Sequence, residues 1–286
     1  MKKLLYQFDT DALPAVFDNV VGYDGGADHI TAYGGVSAGN VGGLIEGAIF
    51  TRGPKDKKNT AIFIGGSNMA EGTALLAAVQ KKFFANFRVS VMFDCNGSNT
   101  TAAAAVAWLA HGRSLKGKRA VVLAGTGPVG QRAAALLARE GASVGITGRK
   151  LEVVRAACDA VKSRFGADVQ AIAAPTHLER GAALDGVQIV LATGAAGVTL
   201  LQARQWQENR SLELVADANA SPPAGIEDVA LTDRGTESHG KMLFGPLGFG
   251  ALKLALHRAC IARLFERNDL TLDAEEIYGL AKTMVG

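Results

Sequence analysis

Short apolar runs of strand type alternate with helix-type segments along the whole chain. This alternation is typical of an α/β protein whose sheets are mostly parallel. In the first third, the pattern predicts strands over Lys3–Phe8, Ile30–Tyr33, Thr60–Ile64 and Val89–Phe93. It predicts helices over Pro14–Val21, Asn40–Phe50, Met69–Phe84 and Thr100–Gly112.

A charged turn, Lys116–Arg119, precedes the apolar strand Ala120–Ala124, and we expect a second domain to begin near it. The strands predicted next are Ser143–Thr147, Val169–Ile172, Gln188–Ala192 and Leu212–Ala216. The helices predicted next are Pro128–Glu140, Leu151–Phe165 and Leu200–Gln207 and, after a polar loop, Ala251–Arg267 and Asp273–Met284. Because C-terminal helices commonly return to the first domain, we expect a first domain of residues 1–112 plus 250–286 and a second of residues 113–249.

The composition indicates a folded protein with a large core, since 48% of the residues are hydrophobic and 20% are charged. The net charge of +3 is too balanced to predict nucleic acid or a membrane as the main partner. Cys95, Cys158 and Cys260 are widely spaced and are expected to be free thiols. No apolar run reaches the ~20 residues of a membrane span, so a cytoplasmic protein is expected. No metal-ligand spacing and no Ser/His/Asp arrangement stands out, and no metal is expected.

The strongest motif follows the strand Ala120–Ala124 directly and opens a helix. This context makes a GxGxxG pattern indicative of a dinucleotide-binding turn. The glycines allow a tight turn, a close approach of backbone to a pyrophosphate, and close packing of helix on strand. The amides at the start of the new helix face the phosphates. The motif residues are Gly125, Thr126, Gly127, Pro128, Val129 and Gly130.

The residues after the next strands refine the prediction for the cofactor. An NAD site places an acidic residue about 20 positions after the glycines, whereas this chain has Arg149 and Lys150 there. Arginine can bind a 2′-phosphate bidentately and lysine adds a point charge, so NADP is favoured over NAD. A solvated pair at a helix start is the alternative interpretation. Candidates for the nicotinamide end are Thr193, Gly194, Ala195, Asp217 and Asn219.

Polar residues also follow the predicted strands of the first domain, where ligands of open parallel sheets bind. The candidates for substrate binding are Asp18, Asp24, Asn99, Thr100, Thr101 and His257. Because such residues also favour turns regardless of function, ordinary loop chemistry is an equally good interpretation. Lys253 and His257 share one face of the helix after the Gly245–Gly250 turn, and they either direct a cation into the site or face solvent.

The sequence resembles the NADP-dependent methylene-tetrahydromethanopterin/methylene-tetrahydrofolate dehydrogenases of methylotrophic bacteria. The matching segments are residues 8–30, SNTTAAA (98–104), GKRAVVLAGTGPVG (117–130), VADANASPPAGI (215–226) and GPLGFGALKLALHRACIARLFE (245–266). The resemblance implies two parallel-sheet α/β domains, the second a Rossmann-type dinucleotide-binding domain, with the active cleft between them. It implies NADP as cofactor, a reduced pterin as substrate, and a homo-oligomer such as a trimer. It also implies that Lys253 is the active-site lysine.

The implied chemistry is direct hydride transfer in one-carbon metabolism, which needs no elaborate acid/base pair. The bifunctional folate dehydrogenase/cyclohydrolases carry Tyr-x-x-x-Lys in their first domain, whereas the only such spacing here is Tyr278 with Lys282. We therefore expect no cyclohydrolase activity. Two alternatives remain open: a shikimate-type hydroxy-acid dehydrogenase, which would need a Lys/Asp pair in the first domain, and a non-catalytic NADP sensor.

Overall fold

The computed structural model describes residues 1–285. Its strands are β1 (Leu4–Asp9), β2 (His29–Tyr33), β3 (Thr60–Gly65), β4 (Ser90–Phe93), β5 (Arg119–Leu123), β6 (Ser143–Gly148), β7 (Gln170–Ala173), β8 (Ile189–Ala192), β9 (Leu214–Asp217), β10 (Arg234–Ser238), β11 (Lys241–Phe244) and β12 (Thr271–Leu272). Its helices are α1 (Val16–Asp24), α2 (Gly42–Phe50), α3 (Met69–Lys81), α4 (Ser98–Ala110), α5 (Pro128–Arg139), α6 (Leu151–Phe165), α7 (His177–Ala182), α8 (Ala203–Trp206), α9 (Pro246–Leu264) and α10 (Ala274–Met284).

The described chain forms two compact units. The first consists of Met1–Thr100 and Leu254–Leu280, and the second of Thr101–Lys253 and the C-terminal segment that begins at Ala281. The first unit holds a parallel sheet with the strand order β12-β4-β3-β1-β2. Its strands are joined through helices, as parallel pairing requires.

Both faces of the first sheet are covered. Alternate residues of a strand face opposite sides, and Phe8 of β1 lies in a core with Ile45 of α2 and Leu75 of α3. On the other side, Gly22 of α1 packs so closely that an added β-carbon would lie 3.0 Å from Cδ2 of Leu5. Helix α1 therefore covers one face of the sheet, and α2 and α3 cover the other.

The second unit holds a sheet with the strand order β10-β11-β9-β8-β5-β6-β7. Strands β5 to β9 have the order of a Rossmann fold. From β5 the chain adds β6 and β7 on one side, and then crosses over to add β8 and β9 on the other. The core is built from apolar residues of the strands and their connections, among them Val121, Val190, Val215 and the fully buried Trp206. Within this order, the carboxyl ends of β5 and β8 flank the position where Rossmann folds bind ligands.

The predicted fold class of two α/β units with parallel-rich sheets is confirmed. Most predicted elements are present with ends shifted by one to three residues, and α6 has the predicted bounds. Within residues 1–285, no helix is both long and apolar enough to cross a membrane.

Some elements differ from the prediction. Residues after Asp217 were expected to form a polar loop, but β10 and β11 pair there as an antiparallel hairpin. Strand β10 is largely exposed and carries Arg234 and Glu237, so its sequence has no apolar strand pattern. Helix α9 begins at Pro246, within the glycines that were expected to form a turn. An added β-carbon at Gly248 would lie 1.7 Å from the carbonyl oxygen of Asp233, so this glycine serves close packing of a helix on backbone.

Candidate functional site

The glycine-rich turn after β5 is closed by contacts between its own glycines. A β-carbon added to Gly130 would lie 2.4 Å from the α-carbon of Gly125. One added to Gly125 would lie 2.9 Å from Cγ1 of Val122 and 3.0 Å from Cγ2 of Ile146. Neither position can hold a larger residue without displacing the turn or the sheet beneath it. These glycines fix the start of α5 directly above the carboxyl end of β5.

Gly127 is a glycine for a different reason. It caps α5 with an ordinary extended backbone (φ −81°, ψ 175°), and an added β-carbon would meet no protein atom within 4 Å. The protein itself therefore does not require glycine there, and the open space suits close approach of a ligand to the backbone. No side chain caps α5, so the amides of its first turn are available to an anion. The turn fits a dinucleotide pyrophosphate.

Thr147, at the end of β6, holds the turn in place. Its hydroxyl accepts a hydrogen bond from the Ala124 amide (3.0 Å), and its carbonyl accepts one from the Gly125 amide (3.1 Å). Ala124 has φ 51°, a left-handed conformation that costs a non-glycine residue about 1–2 kcal/mol. Sequence reasoning did not identify Thr147 or Ala124. The only signal for Thr147 is a hydroxyl residue at a strand end in an otherwise apolar run.

Arg149 and Lys150 follow β6 and are exposed. A β-carbon on the preceding Gly148 would lie 3.1 Å from Cγ2 of Thr126, so this loop lies against the glycine-rich turn. Within residues 1–285, neither basic side chain forms a hydrogen bond or an ion pair that would hold it away from a ligand. The structure thus brings two exposed cations to the side of the turn, and their binding of a 2′-phosphate stays a prediction.

The residues predicted for the nicotinamide end follow β8 and β9. The amide and the hydroxyl of Thr193 donate to the carbonyl of Leu123, at 3.0 and 3.2 Å, which places Thr193 at the base of the turn. Gly194 packs on Leu200, because an added β-carbon would lie 2.8 Å from Cδ1 of Leu200. Ala195 follows in an exposed loop.

Asp217 and Asn219 hold their own loop together. The carboxylate of Asp217 accepts hydrogen bonds from the amides of Asn219 and Ile226, both at 3.0 Å. Burial raises the pKa of Asp217, although backbone amides donate to the carboxylate. The Asn219 side chain donates to the Pro223 carbonyl and accepts from the Ser221 amide. Both side chains therefore shape the loop, and their contact with a cofactor stays a prediction.

In the first unit, the carboxylate of Asp94 organises the start of α4. It accepts hydrogen bonds from the amides of Asn99 (2.7 Å) and Thr100 (3.2 Å) and from the Thr100 hydroxyl (2.6 Å). The Asn99 side chain donates to the Phe93 carbonyl and to Asp273. Asn99 and Thr100 are fully buried in these contacts. Their role as substrate ligands stays a prediction, and the fold gives both a structural role that the sequence did not reveal.

Asp18 and His257 both lie close to residues of β3. A β-carbon added to Gly65, the last residue of β3, would lie 3.3 Å from Oδ2 of Asp18. The ring of His257 lies 5.3 Å from the ring of Phe63, two residues earlier on the same strand. Lys253 precedes His257 by one turn of α9 and is half-buried. The structure thus places Asp18 at the carboxyl edge of the sheet, where ligands of parallel sheets bind, whereas His257 is buried against Phe63 of β3.

The other predicted substrate residues lie elsewhere. Asp24 ends α1 at the surface and pairs with Arg258 at 2.6 Å, with both side chains about 44% exposed. Thr101 is half-buried in α4. No group of three His, Cys, Asp or Glu side chains within the described residues could hold a metal ion.

Comparison with known proteins identifies the family. Residues 16–96 match a family model described as methylene-tetrahydromethanopterin dehydrogenase, N-terminal. The chain is 33% identical over 280 residues to the NAD(P)-dependent methylenetetrahydromethanopterin dehydrogenase of Methylorubrum extorquens strain AM1, with 94% of each chain covered. It is 58% identical over 285 residues to the bifunctional protein MdtA of the same strain, with 99% of each covered. The chain belongs to the methylene-tetrahydromethanopterin dehydrogenase family.

Solved structures with little sequence similarity share the fold of this methylene-tetrahydromethanopterin dehydrogenase family member. Shikimate 5-dehydrogenase from Listeria monocytogenes superimposes with a TM-score of 0.54 at 14% identity, covering 98% of this chain and 96% of that chain. Quinate dehydrogenase from Corynebacterium glutamicum gives 0.53 at 13% identity, covering 98% of each. At such identities the likeness concerns the fold alone. The shikimate-type alternative therefore gains no functional support, whereas the sequence matches favour the pterin family.

Proposed function

We propose that the protein oxidises N5,N10-methylene-tetrahydromethanopterin to the methenyl form by direct hydride transfer to NADP. Membership of the family supports the reaction class. The proposal of a dinucleotide cofactor depends mainly on Gly127. No protein atom near Gly127 excludes a larger side chain, and no side chain caps the helix amides beside it. Such a cradle suits a pyrophosphate.

NADP in preference to NAD is supported by charge at the end of β6. Arg149 and Lys150 stand where an NAD site carries a carboxylate, and the exposed loop that holds them lies against Thr126 of the turn. A guanidinium can bind a 2′-phosphate through paired hydrogen bonds. When bound, NADP would supply the hydride acceptor at C4 of its nicotinamide ring. Thr193, Gly194 and Ala195 would line the nicotinamide end.

The reaction makes modest demands on the protein's own acids and bases. A hydride leaves the methylene carbon with its electron pair, and the product cation is delocalised over the two adjacent nitrogens. No proton transfer is obligatory, so the side chains mainly bind the pterin, orient it and exclude water.

We assign the pterin to Asp18, His257 and Lys253. A carboxylate such as Asp18 accepts hydrogen bonds from the amino groups of a pterin, and it lies beside Gly65 at the end of β3. Lys253, one turn before His257 on α9, is assigned to hydrogen-bond the pterin or to govern attack on the methenyl carbon. Asp94, Asn99 and Thr100 would support this edge of the sheet by fixing the start of α4.

A second substrate, methylene-tetrahydrofolate, has the same reacting five-membered ring. A relative that shares 58% of its residues with this chain is named a bifunctional protein. We infer that the chain accepts both pterins, since they differ only in groups away from the reacting carbon. We further infer that it hydrolyses neither methenyl product and that it forms a homo-oligomer.

The test is a spectrophotometric assay of the purified protein with NADP and each methylene-pterin. We expect NADPH and the methenyl-pterin to appear together and in equal amounts. Shikimate with NADP, and NADP alone, are the controls. Oxidation of shikimate, or binding of NADP without oxidation of either pterin, would contradict the proposal. Methenyl-pterin that disappears faster than in buffer would contradict the absence of hydrolysis.

A further inference from the structure

A second cleft lies at the amino edge of the second sheet. Its volume is about 470 Å³, within the range of small-molecule sites. Strands β5, β8, β9 and β11 run parallel, so their amino ends share this edge and the glycine-rich turn lies at the opposite one. The charged residues that line the cleft are Arg113, Lys118, Glu213, Glu237 and Lys241. None of them belongs to the sites assigned above.

Arg113 keeps two hydrogen-bond donors without a protein acceptor. Its Nη1 donates to the carbonyls of Trp108 and Leu109, both at 3.2 Å, and its Nη2 donates to Sδ of Met242 at 3.3 Å. A guanidinium has five N–H donors, so within residues 1–285 the Nε–H and one Nη2–H of Arg113 have no acceptor. Nε and Nη2 form one edge of the guanidinium, and such an edge can bind two oxygens of an anion at once.

Lys241 adds a buried positive charge to the wall of the cleft. It is 5% exposed, and its ammonium donates to the carbonyls of Gln207 and His239, both at 2.9 Å. Among the residues that the structure describes, no carboxylate forms an ion pair with it. Burial lowers the pKa of Lys241, as expected for a charge without a counter-ion. Because solvent screens a buried charge poorly, Lys241 raises the electrostatic potential of the cleft.

The two acids at the cleft do not neutralise Arg113 and Lys241. Glu213 pairs with Lys118 at 2.6 Å, and burial lowers the pKa of Arg113 more than the charge of Glu213 raises it. Glu237 is exposed, so water weakens its field. The segment 111–119, which forms one side of the cleft, contains four lysines and arginines and no acid. The cleft therefore has a net positive charge.

One wall of the cleft is apolar. Leu214 of β9 and Met242 of β11 are partners across the two strands, and both line the cleft. A methionine side chain adapts its shape to an apolar group that packs against it. A single phosphate group would fill only a small part of the volume of about 470 Å³. The cleft therefore has room for an organic portion of a ligand beside Leu214 and Met242.

We propose that this cleft binds a phosphate monoester whose organic portion is small and apolar. The Nε–H and Nη2–H of Arg113 bind two of the phosphate oxygens, and the organic portion packs against Leu214 and Met242. A dianionic phosphate matches the two cations that lack a carboxylate partner, Arg113 and Lys241, better than one carboxylate does. This binding site goes beyond the dehydrogenase reaction proposed above and does not depend on it.

The test is a calorimetric titration with phenyl phosphate of the protein in the presence of excess NADP. The NADP keeps the probe out of the glycine-rich turn, which also suits a phosphate. Phenyl phosphate should bind at least about tenfold more tightly than inorganic phosphate, which lacks an apolar portion, and than benzoate, which carries a single negative charge. Absence of binding, binding that disappears when NADP is added, or equal affinity for benzoate would overturn the proposal.

Variants of Arg113 locate the phosphate. Arg113→Met removes the guanidinium and should weaken the binding of phenyl phosphate at least about tenfold, the scale of a charged hydrogen bond. Arg113→Lys keeps the charge without the paired donors, so it should recover only part of that loss. Lys116→Met, at an exposed position on the same loop, is the matched control and should keep the wild-type affinity. Wild-type affinity in Arg113→Met, or an equal loss in Lys116→Met, would overturn the proposal.

Glu237→Gln provides a second criterion that disturbs no buried contact. Glu237 is exposed and lines the cleft, so its carboxylate repels a phosphate bound there. Its removal should tighten the binding of phenyl phosphate about threefold at low ionic strength, and added salt should reduce this gain. Asp159→Asn, the loss of an equal charge at an exposed position on α6, is the matched control and should leave the affinity unchanged. Unchanged or weaker binding in Glu237→Gln would contradict the location of the site.

Discussion

Gly130 and Gly125 touch through their backbones: a β-carbon on Gly130 would lie 2.4 Å from the α-carbon of Gly125 and 2.7 Å from its carbonyl carbon and oxygen. This contact joins the start of α5 to the end of β5. Since the rigid backbone cannot yield as a flexible side chain does, Gly130→Ala should lower the free energy of unfolding by about 1–3 kcal/mol or more. Denaturant titration measures this free energy of unfolding. Unchanged stability would mean that the helix does not pack as described.

Gly127→Ala is the matched variant for ligand binding. Its β-carbon meets no protein atom, so the unfolding free energy should change by less than about 1 kcal/mol. The same β-carbon enters the space assigned to the pyrophosphate, and NADP should bind at least about tenfold more weakly, a loss of ~1.4 kcal/mol. Calorimetric titration with NADP gives the dissociation constant. Wild-type affinity in a stable Gly127→Ala protein would place the phosphates elsewhere.

Arg149→Asp tests selection for the 2′-phosphate. A carboxylate at this position repels that phosphate but accepts a ribose hydroxyl, so NADP should lose at least about tenfold in affinity while NAD loses little. Arg155→Asp, an exposed change one turn along α6, is the control for charge alone. Equal loss of both cofactors in Arg149→Asp would mean that the 2′-phosphate is bound by other residues.

Lys253→Ala tests the lysine assigned to the pterin. Loss of the ammonium should lower kcat or raise the KM for methylene-tetrahydromethanopterin by about tenfold or more, the scale of one charged hydrogen bond. The KM for NADP should change little. Steady-state kinetics at saturating NADP measures kcat and the KM for the pterin. Full retention of both values would remove Lys253 from the site.

The buried Asp217 should impose a pH dependence on stability. Burial raises the pKa of its carboxyl in the folded state, so the folded state binds the proton more tightly than the unfolded state. The contribution of this group to stability should therefore fall as the pH rises from about 4, its unfolded value, through the folded pKa. Unfolding free energies measured over this range should fall less steeply in Asp217→Asn than in wild type. Asp185→Asn, at an exposed position, is the matched control.

The sequence allowed the nucleotide-binding unit to be predicted because its signals are local. An apolar strand, three spaced glycines and an amphipathic helix are adjacent in the chain, and the structure places Gly125, Gly127 and Gly130 as expected. The hairpin β10–β11 was not predicted, because an exposed edge strand carries no apolar pattern. The segment of β10 forms a strand because it pairs with β11.

Predictions for the first unit were limited by contacts between distant residues. Asn99 hydrogen-bonds Asp273, 174 positions later in the chain, and Asp24 pairs with Arg258. Composition and spacing cannot reveal such partners. Hence the sequence could not separate the polar residues that hold the fold, such as Asn99 and Thr100, from those open to a ligand.

The proposed reaction passes a hydride directly from the methylene carbon to NADP. The most direct measurement uses methylene-tetrahydromethanopterin with deuterium in place of hydrogen at the bridge and analyses the NADPH by mass spectrometry. Direct transfer should place the deuterium at C4 of the nicotinamide ring and release none of it to water. Deuterium released to solvent, or NADPH formed without it, would contradict direct transfer.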